Sequence, residues 1–108
     1  MGCGRDAHMR PRTSVVRAES AKTKRLERVV KGFANHRRIE ILQLLRDQPD
    51  LCIGEISEKL QIEIKTASEH VRRLVLSGLV TKRQKGREVR LRLADGTRSV
   101  LAFLDRLV

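Results

Sequence analysis

Apolar residues along the chain recur mainly at the three- and four-residue spacing of helices. The first stripe starts near Ser20 and ends at an interruption around Gly32, and it comprises Leu26, Val29, Val30 and Phe33. A second stripe follows Asn35, whose side chain suits a helix N-cap. Its members are Ile39, Leu42 and Leu45, widened by Ile41 and Leu44. The pattern predicts two consecutive helices, the second of which ends at residues 47–50.

The middle of the chain predicts a short strand and two further helices. Residues 51–53 form a brief apolar run, and a third helix opens at Gly54 and is buried through Ile56 and Leu60. After residues 60–63 the helical spacing restarts, with Ala67, Val71, Leu74 and Val75 on one face. Ser77 and Gly78 then favour a left-handed helix cap. The third and fourth helices are therefore joined by a tight turn.

Beyond Gly78 the spacing changes from helical to alternating, as in a half-buried strand. Residues 79–84 and 87–93 predict two strands joined by a hairpin turn at Lys85 and Gly86. Residues 95–97 can cap a last helix, whose apolar stripe comprises Val100, Leu101, Leu104, Leu107 and Val108. The predicted fold is mainly α with a small β-hairpin wing, in the order helix, helix, short strand, helix, helix, strand, strand, helix: a winged helix-turn-helix. Residues 19–108 form its single domain, and residues 1–18 are predicted to be a disordered basic arm.

The charge of the chain points to a polyanionic partner. The formal net charge is +11 over 108 residues, and residues 1–31 and 82–98 carry the excess, with nine basic against three acidic and seven against two side chains. A basic excess gathered in segments is typical of nucleic-acid binding. The sequence contains no signal peptide and no apolar run of about 20 residues, so we expect a cytoplasmic protein without a membrane partner.

A helix-turn-helix followed by a basic hairpin places one helix in the major groove and the hairpin tip on the phosphate backbone. The fourth helix is the candidate for the groove, and the hairpin supplies the positive charge. The candidate DNA-binding residues are Lys65, Thr66, Ser68, Glu69, His70, Arg72, Arg73, Lys82, Arg83, Lys85, Arg87 and Arg90. Only Phe33 and Phe103 are aromatic, and both belong to apolar helical patterns, which argues against a stacking surface for single strands.

Two of these residues have alternative interpretations. Glu69 would be repelled by phosphate unless it accepts a hydrogen bond from a cytosine amino group, and it could equally pair with Arg72 or Arg73 at helical spacing. His70 could pack against the neighbouring helix instead of contacting DNA. The sequence leaves both questions open, with the structural role favoured for His70.

The stretch from Lys31 to Leu93 resembles the ArsR/SmtB family of repressors. Its entry into the second helix, Gly-Phe-Ala-Asn-His-Arg-Arg-Ile-Glu-Ile-Leu at 32–42, is similar to that of the family. So are residues 51–56, the candidate recognition helix at 66–74, the Ser-Gly-Leu-Val at 77–80 and the Lys-Gly-Arg hairpin at 85–87. The resemblance implies a homodimeric, sequence-specific transcriptional regulator, expected to be a repressor, whose two recognition helices read a pseudo-palindrome.

The sequence departs from the metal-binding patterns of that family. Many members bind metal through two cysteines separated by one residue at the third helix, but here Cys52 is followed by Gly54 at the second position. At the last helix, where other members place His and carboxylates, Asp95 is followed by Gly96 and Thr97. We therefore expect no metal and no cofactor. A metal- or thiol-responsive repressor that uses Cys52 and Cys3 is kept as an alternative.

The first and last helices predict a dimer, because the middle helices and hairpin cannot cover both apolar stripes. The candidate interface comprises Leu26, Val29, Val30, Phe33, Val100, Leu101, Leu104 and Leu107. A monomer whose terminal helices pack on each other is the alternative. The other functional alternative is an architectural or RNA-binding basic module without base readout. An enzyme is not expected, since no nucleophile with a base, paired carboxylates or phosphate-binding glycine loop is present.

Overall fold

The computed structural model describes the backbone of residues 13–108 and side chains from residue 20 onward. Five helices and one hairpin follow in the predicted order. They are α1 (Thr13–Phe33), α2 (His36–Asp47), α3 (Ile53–Leu60), α4 (Ile64–Leu76), β1 (Val80–Lys85), β2 (Glu88–Leu93) and α5 (Thr97–Asp105). The arrangement is the predicted winged helix-turn-helix.

Helix α1 begins at Thr13, earlier than the start near Ser20 that the apolar stripe indicates. Residues 13–18, assigned to the predicted arm, are thus helical, and residues 1–12 of that arm lie outside the described residues. The sequence contains no Gly or Pro between Pro11 and Gly32, so nothing interrupts the helix before its end.

The core lies between α2, α3, α4 and the inner side of the hairpin. Its fully buried side chains include Leu42, Leu45, Ile56, Leu74 and Leu91. Ile41 belongs to this core, whereas Ile39, predicted as part of the main stripe, is only half-buried. The predicted stripe of α2 is thus confirmed at Leu42 and Leu45, and its buried face is shifted from Ile39 towards Ile41 because neighbours contact α2 on two sides.

Local hydrogen bonds set the helix boundaries around the turn. Asn35 caps α2 as predicted, and its side-chain oxygen accepts from the backbone N–H groups of Arg37 at 2.9 Å and Arg38 at 3.3 Å. Helix α3 ends at Leu60 and is capped by Gln61, which lies in the left-handed region with φ of 56°. The Ser57 hydroxyl donates to the Ile62 carbonyl at 2.6 Å and fixes the turn into α4. Gly78, with φ of 82°, ends α4 as predicted.

The hairpin differs from the prediction by one residue. Lys85 pairs with Glu88, so the two-residue tip is Gly86 and Arg87 instead of Lys85 and Gly86. Gly86 has φ of 64°, and a positive φ at the first tip residue is what a type II′ turn requires. The short strand predicted at 51–53 is reduced to a single bridge between Leu51 and Leu91, because Cys52 already caps α3.

Helix α5 is anchored beside the root of the wing. The buried Thr97 hydroxyl donates to the Leu79 carbonyl at 3.0 Å, and the Ala94 N–H donates to the same oxygen at 2.9 Å. These bonds leave the outer side of α5 uncovered, next to α1. None of the helices in the described part of the chain is long and apolar enough to cross a membrane.

Candidate nucleic-acid interface

The outward side of α4 carries polar and charged side chains in a continuous row. Ala67, Val71 and Leu74 bury the opposite side in the core. The predicted groove residues Lys65, Thr66, Ser68, Glu69, Arg72 and Arg73 are all exposed. The helix therefore offers solvent a strip of hydrogen-bonding groups, while its apolar side holds it rigidly in place.

Glu69 pairs with both arginines of the following turn. Its carboxylate accepts from Arg72 Nε at 3.2 Å and Nη2 at 2.8 Å, and from Arg73 Nε at 3.0 Å. The hydrogen bonds from Arg72, with those from Arg73, lower the pKa of Glu69 from 4.5 to about 2. In the free protein Glu69 thus has the helical pairing that the sequence offered as one of its two interpretations.

His70 lies at the inner edge of this strip and is half-buried. Burial lowers its pKa, and the positive charges of Arg38 and Arg73 lower it further. The Nδ1 atom is buried and has no hydrogen-bond partner among the described residues. His70 therefore packs between α4 and the start of α2, the position expected of the structural alternative.

The wing presents its cations along β1 and the tip. Lys82, Arg83, Lys85 and Arg87 are exposed. Arg90 differs from them, because its Nη1 donates to Glu55 at 2.9 Å and to the Asp50 carbonyl at 3.1 Å. Only 24% of its side chain is exposed. Arg90 thus ties the wing to the start of α3 and is not free for a phosphate contact as the sequence suggested.

The wing and α4 meet at a small cavity of about 220 Å³, which we call the wing-side cavity. Ser68 and Arg72 of α4 line it together with Lys82 of β1. Lys82 lies on the same face of the hairpin as its buried pairing partner Leu91, and this brings its ammonium towards α4. The fold therefore joins the two groups of predicted DNA-binding residues into one surface.

The predicted dimer residues divide into two sets. Phe33 and Leu101 are buried within the single chain, at 9% and 2% exposure, and Val29 and Leu104 pack against that core. The side chains left exposed on α1, α5 and the C-terminus are Leu26, Val30, Val100, Phe103, Leu107 and Val108. Phe103, absent from the predicted set, is 52% exposed. Its position one helical turn before Leu107 was the sequence signal that could have added it to the predicted dimer residues.

An apolar groove lies between the end of α1, the start of α2 and α5. Its volume is about 460 Å³, and Val30, Ile39, Leu104, Leu107 and Val108 contribute to its lining. Gln43 and Asp105 supply the few polar atoms there. The half-buried state of Ile39 follows from this groove, since its side chain faces the opening.

Sequence reasoning missed three basic residues beside α4. Arg28 and Lys31 of α1 and Arg38 of α2 lie around a second cavity that Arg73 also lines. Arg28 and Lys31 are one helical turn apart, but that spacing does not reveal that α1 packs next to the end of α4. The signal was therefore absent from the local pattern.

Cys52 is the N-cap residue of α3 and is partly exposed as a free thiol. Its backbone N–H donates to the Glu55 carboxylate at 3.0 Å. Among the residues that the structure describes, no three His, Cys, Asp or Glu side chains are grouped in a way that could hold a metal ion. Cys3 lies outside those residues.

Comparison with known proteins gives consistent matches. Residues 35–82 match the family model described as bacterial regulatory protein, arsR family. The transcriptional activator HlyU of Vibrio cholerae is 32% identical over 80 residues, which cover 73% of each chain.

Solved structures match over a similar length. A homodimeric winged helix-turn-helix DNA-binding domain from Mycobacterium bovis, described as a possible ArsR-family regulator, is 29% identical with a TM-score of 0.77, covering 82% of both chains. The structure of HlyU from Vibrio cholerae is 30% identical with a TM-score of 0.70, covering 80% of this chain and 94% of HlyU.

Proposed function

The chain belongs to the arsR family of bacterial regulatory proteins, and from this premise we propose that it acts as a homodimer on a specific site in double-stranded DNA. It is a winged helix-turn-helix transcriptional regulator and not an enzyme. The observation that carries the proposal is the exposed polar strip of α4 beside the basic wing. A helix presented in this way fits the major groove, while a neighbouring hairpin reaches the backbone.

We assign base readout to the first two turns of α4. Lys65, Thr66 and Ser68 are exposed and make no hydrogen bonds to other described side chains, so their donors and acceptors are free for base edges. Arg72 and the wing cations Lys82, Arg83, Lys85 and Arg87 are assigned to phosphates. These contacts position the duplex but carry little sequence information.

The second copy of the chain is assigned to the apolar groove and the exposed side chains of α1 and α5. Six large apolar side chains there are between 37% and 108% exposed. Monomeric proteins rarely expose so many large apolar side chains in one patch. The homodimeric Mycobacterium bovis domain has the same fold. Pairing about a two-fold axis would set the two α4 helices about one DNA turn apart, roughly 34 Å.

Selection of bound duplexes from a random pool tests the proposal directly. We expect an inverted-repeat consensus, bound by the dimer at least about 1000-fold more tightly than random duplex. Thr66→Ala should reduce this preference, whereas Lys85→Gln with Arg87→Gln should weaken binding to every sequence alike. Equal affinity for all duplexes, or preference for RNA, would instead establish the architectural or RNA-binding alternative.

Repeating the selection with Zn²⁺ and with oxidant tests the responsive alternative. If binding changes with either and Cys52→Ser abolishes the change, the chain is a metal- or thiol-responsive regulator. We propose that neither additive alters binding, because three ligands do not converge among the described residues.

The direction of control is proposed to be repression. A dimer that covers its site excludes polymerase and needs no further activating surface. A reporter placed behind the selected site should rise when the protein is deleted, and a fall would establish activation. Because the bacterial chromosome lies in the cytoplasm, the proposal includes a cytoplasmic location.

A further inference from the structure

A cavity on the side of α4 that faces away from the wing is lined mainly by cations. Its volume is about 220 Å³, and its lining comprises Arg28, Lys31, Arg38, Arg73, Leu76 and Ser77. Four positive groups from α1, α2 and α4 thus meet around one opening, and no carboxylate from residues 20–108 lines it. We call it the α1-side cavity.

The ion pairs of the described residues leave two of these cations without a carboxylate. Lys31 approaches Glu27 at 3.4 Å and Arg73 approaches Glu69 at 3.0 Å. Neither Arg28 nor Arg38 has an acidic partner within the part of the chain from residue 20 onward. The Nε–H of Arg38 is buried and donates to no acceptor there. A buried donor without an acceptor is costly, so the Arg38 side chain would gain by turning towards an anion in the cavity.

Two of the lining arginines also act on His70 of α4. Burial of the His70 ring lowers its pKa, and the adjacent charges of Arg38 and Arg73 lower it further. Arginine binds phosphate through two parallel N–H groups, and a lysine adds a point charge. The mixture of three arginines and one lysine therefore suits a phosphate group.

The position of the cavity indicates where that phosphate comes from. Arg72 and Arg73 are consecutive on α4 but line opposite cavities, Arg72 the wing-side cavity and Arg73 the α1-side cavity. A helix in the major groove lies between two phosphate strands, about 12 Å apart. With one strand at the wing-side cavity, the other passes along the opposite flank of α4.

We propose that the α1-side cavity binds a backbone phosphate of the DNA strand opposite the wing, with Arg28 and Arg38 as its main ligands. The inference rests on the proposed DNA binding. It assigns to the second strand a contact made by α1 and α2, two helices outside the helix-turn-helix. The two cavities together would clamp α4 across the groove.

The salt dependence of binding to a random duplex tests this without knowledge of the operator. Each phosphate contact contributes about 0.9 to the slope of log affinity against log salt. Arg28→Gln with Arg38→Gln removes one phosphate per protomer, so the slope of the dimer should fall by about 1.8. If both proteins have the same affinity extrapolated to 1 M salt, this smaller slope corresponds to roughly 30-fold weaker binding of the double variant at 0.15 M salt.

Arg98→Gln is the matched control. Arg98 is an exposed cation on α5 that donates to the Arg46 carbonyl at 3.1 Å, and its loss removes one positive charge per protomer away from both cavities, as many as Arg28→Gln removes by itself. Its slope should equal that of the unmodified protein. Replacing Arg38 by lysine instead of glutamine keeps the positive charge, so the salt slope should stay close to that of the unmodified protein. If the double variant does not fold, Arg28→Gln, at an exposed helical position, should lower the slope by itself.

The outcomes separate the inference from the proposed function. If the unmodified protein binds no duplex, the proposed function fails. If it binds and the double variant has the slope of Arg98→Gln, the cavity assignment is overturned. An NMR titration with inorganic phosphate at constant ionic strength should shift the Arg38 Nε–H signal weakly. Tight phosphate binding with an unchanged DNA slope would overturn the assignment in favour of a free anion.

Discussion

Replacement of Leu107 by alanine should weaken the dimer strongly. Leu107 is 64% exposed in the single chain and lines the apolar groove assigned to the second copy. The change removes three carbons, worth about 2.4 kcal/mol when fully transferred from water. Scaled by the 64% that is exposed, the loss is about 1.5 kcal/mol per protomer. Two-fold symmetry doubles it to about 3 kcal/mol, or a dimer Kd raised on the order of 100-fold.

Sedimentation equilibrium over a range of protein concentrations measures this Kd. Leu76→Ala provides a control of the same residue type and the same 64% exposure, located on α4 outside the groove. It should leave the dimer Kd unchanged. Equal dimer Kd values for Leu107→Ala and the unmodified protein, or a monomer at all concentrations, would refute the assignment of the groove to a second copy.

Three further predictions concern the Glu69 ion pairs on α4, the packing of Gly32 near the end of α1 and the response to pH. Glu69→Gln should tighten binding to random duplex and steepen its salt dependence, because Arg72 and Arg73 lose their carboxylate partner. Fluorescence anisotropy at several salt concentrations measures both the affinity and its salt dependence. A lost preference at one base pair would instead reveal base readout by Glu69. Gly32→Ala should destabilise the fold by about 1 kcal/mol in urea unfolding, since overpacking outweighs the helix propensity gained. Its Cβ would lie 2.6 Å from Leu79 Cδ1 and 3.0 Å from Ser77 Oγ, whereas Gly54→Ala, which meets only Cys52 Sγ at 3.9 Å, should be neutral or stabilising. Because folding lowers the pKa of Glu69 from 4.5 to about 2, its contribution to stability is complete above pH 4.5 and is lost towards pH 2. Glu55, whose pKa is lowered mainly by the Cys52 N–H, acts in the same direction. Thermal unfolding at a series of pH values should therefore show a smaller acid loss for Glu69→Gln, and parallel curves would contradict this reasoning.

Local patterns were sufficient for most of the elements. The cap at Asn35, the left-handed residue Gly78 and the alternation after it depend on neighbours in sequence, and each lies where it was predicted. The errors at residue 13, at the hairpin tip and at the single bridge of Leu51 are errors of boundary. Such boundaries depend on pairing register and packing, which a local pattern does not encode.

The candidate site was less predictable than the fold. The exposed residues of α4 follow from helical spacing, since the buried side fixes the opposite one. Arg90 could not be assigned in this way, because its partners Glu55 and the Asp50 carbonyl are 35 and 40 residues away in sequence. Phe33 and Leu101 raised the same difficulty, since an apolar stripe does not reveal whether it meets its own chain or another.

The sequence by itself determined the order of helices and strands, the polar strip of α4 and the basic character of the wing. These depend on residue type and on spacings of two to four residues. Only the tertiary structure decided that Arg28, Lys31 and Arg38 meet Arg73 in one cavity, and which apolar side chains stay exposed for a second copy. The physical reason is the same in both cases. Electrostatic repulsion and the burial of apolar surface depend on the distances between α1, α2, α4 and α5. Tertiary packing sets these distances, and the spacing of residues within one helix does not reveal them.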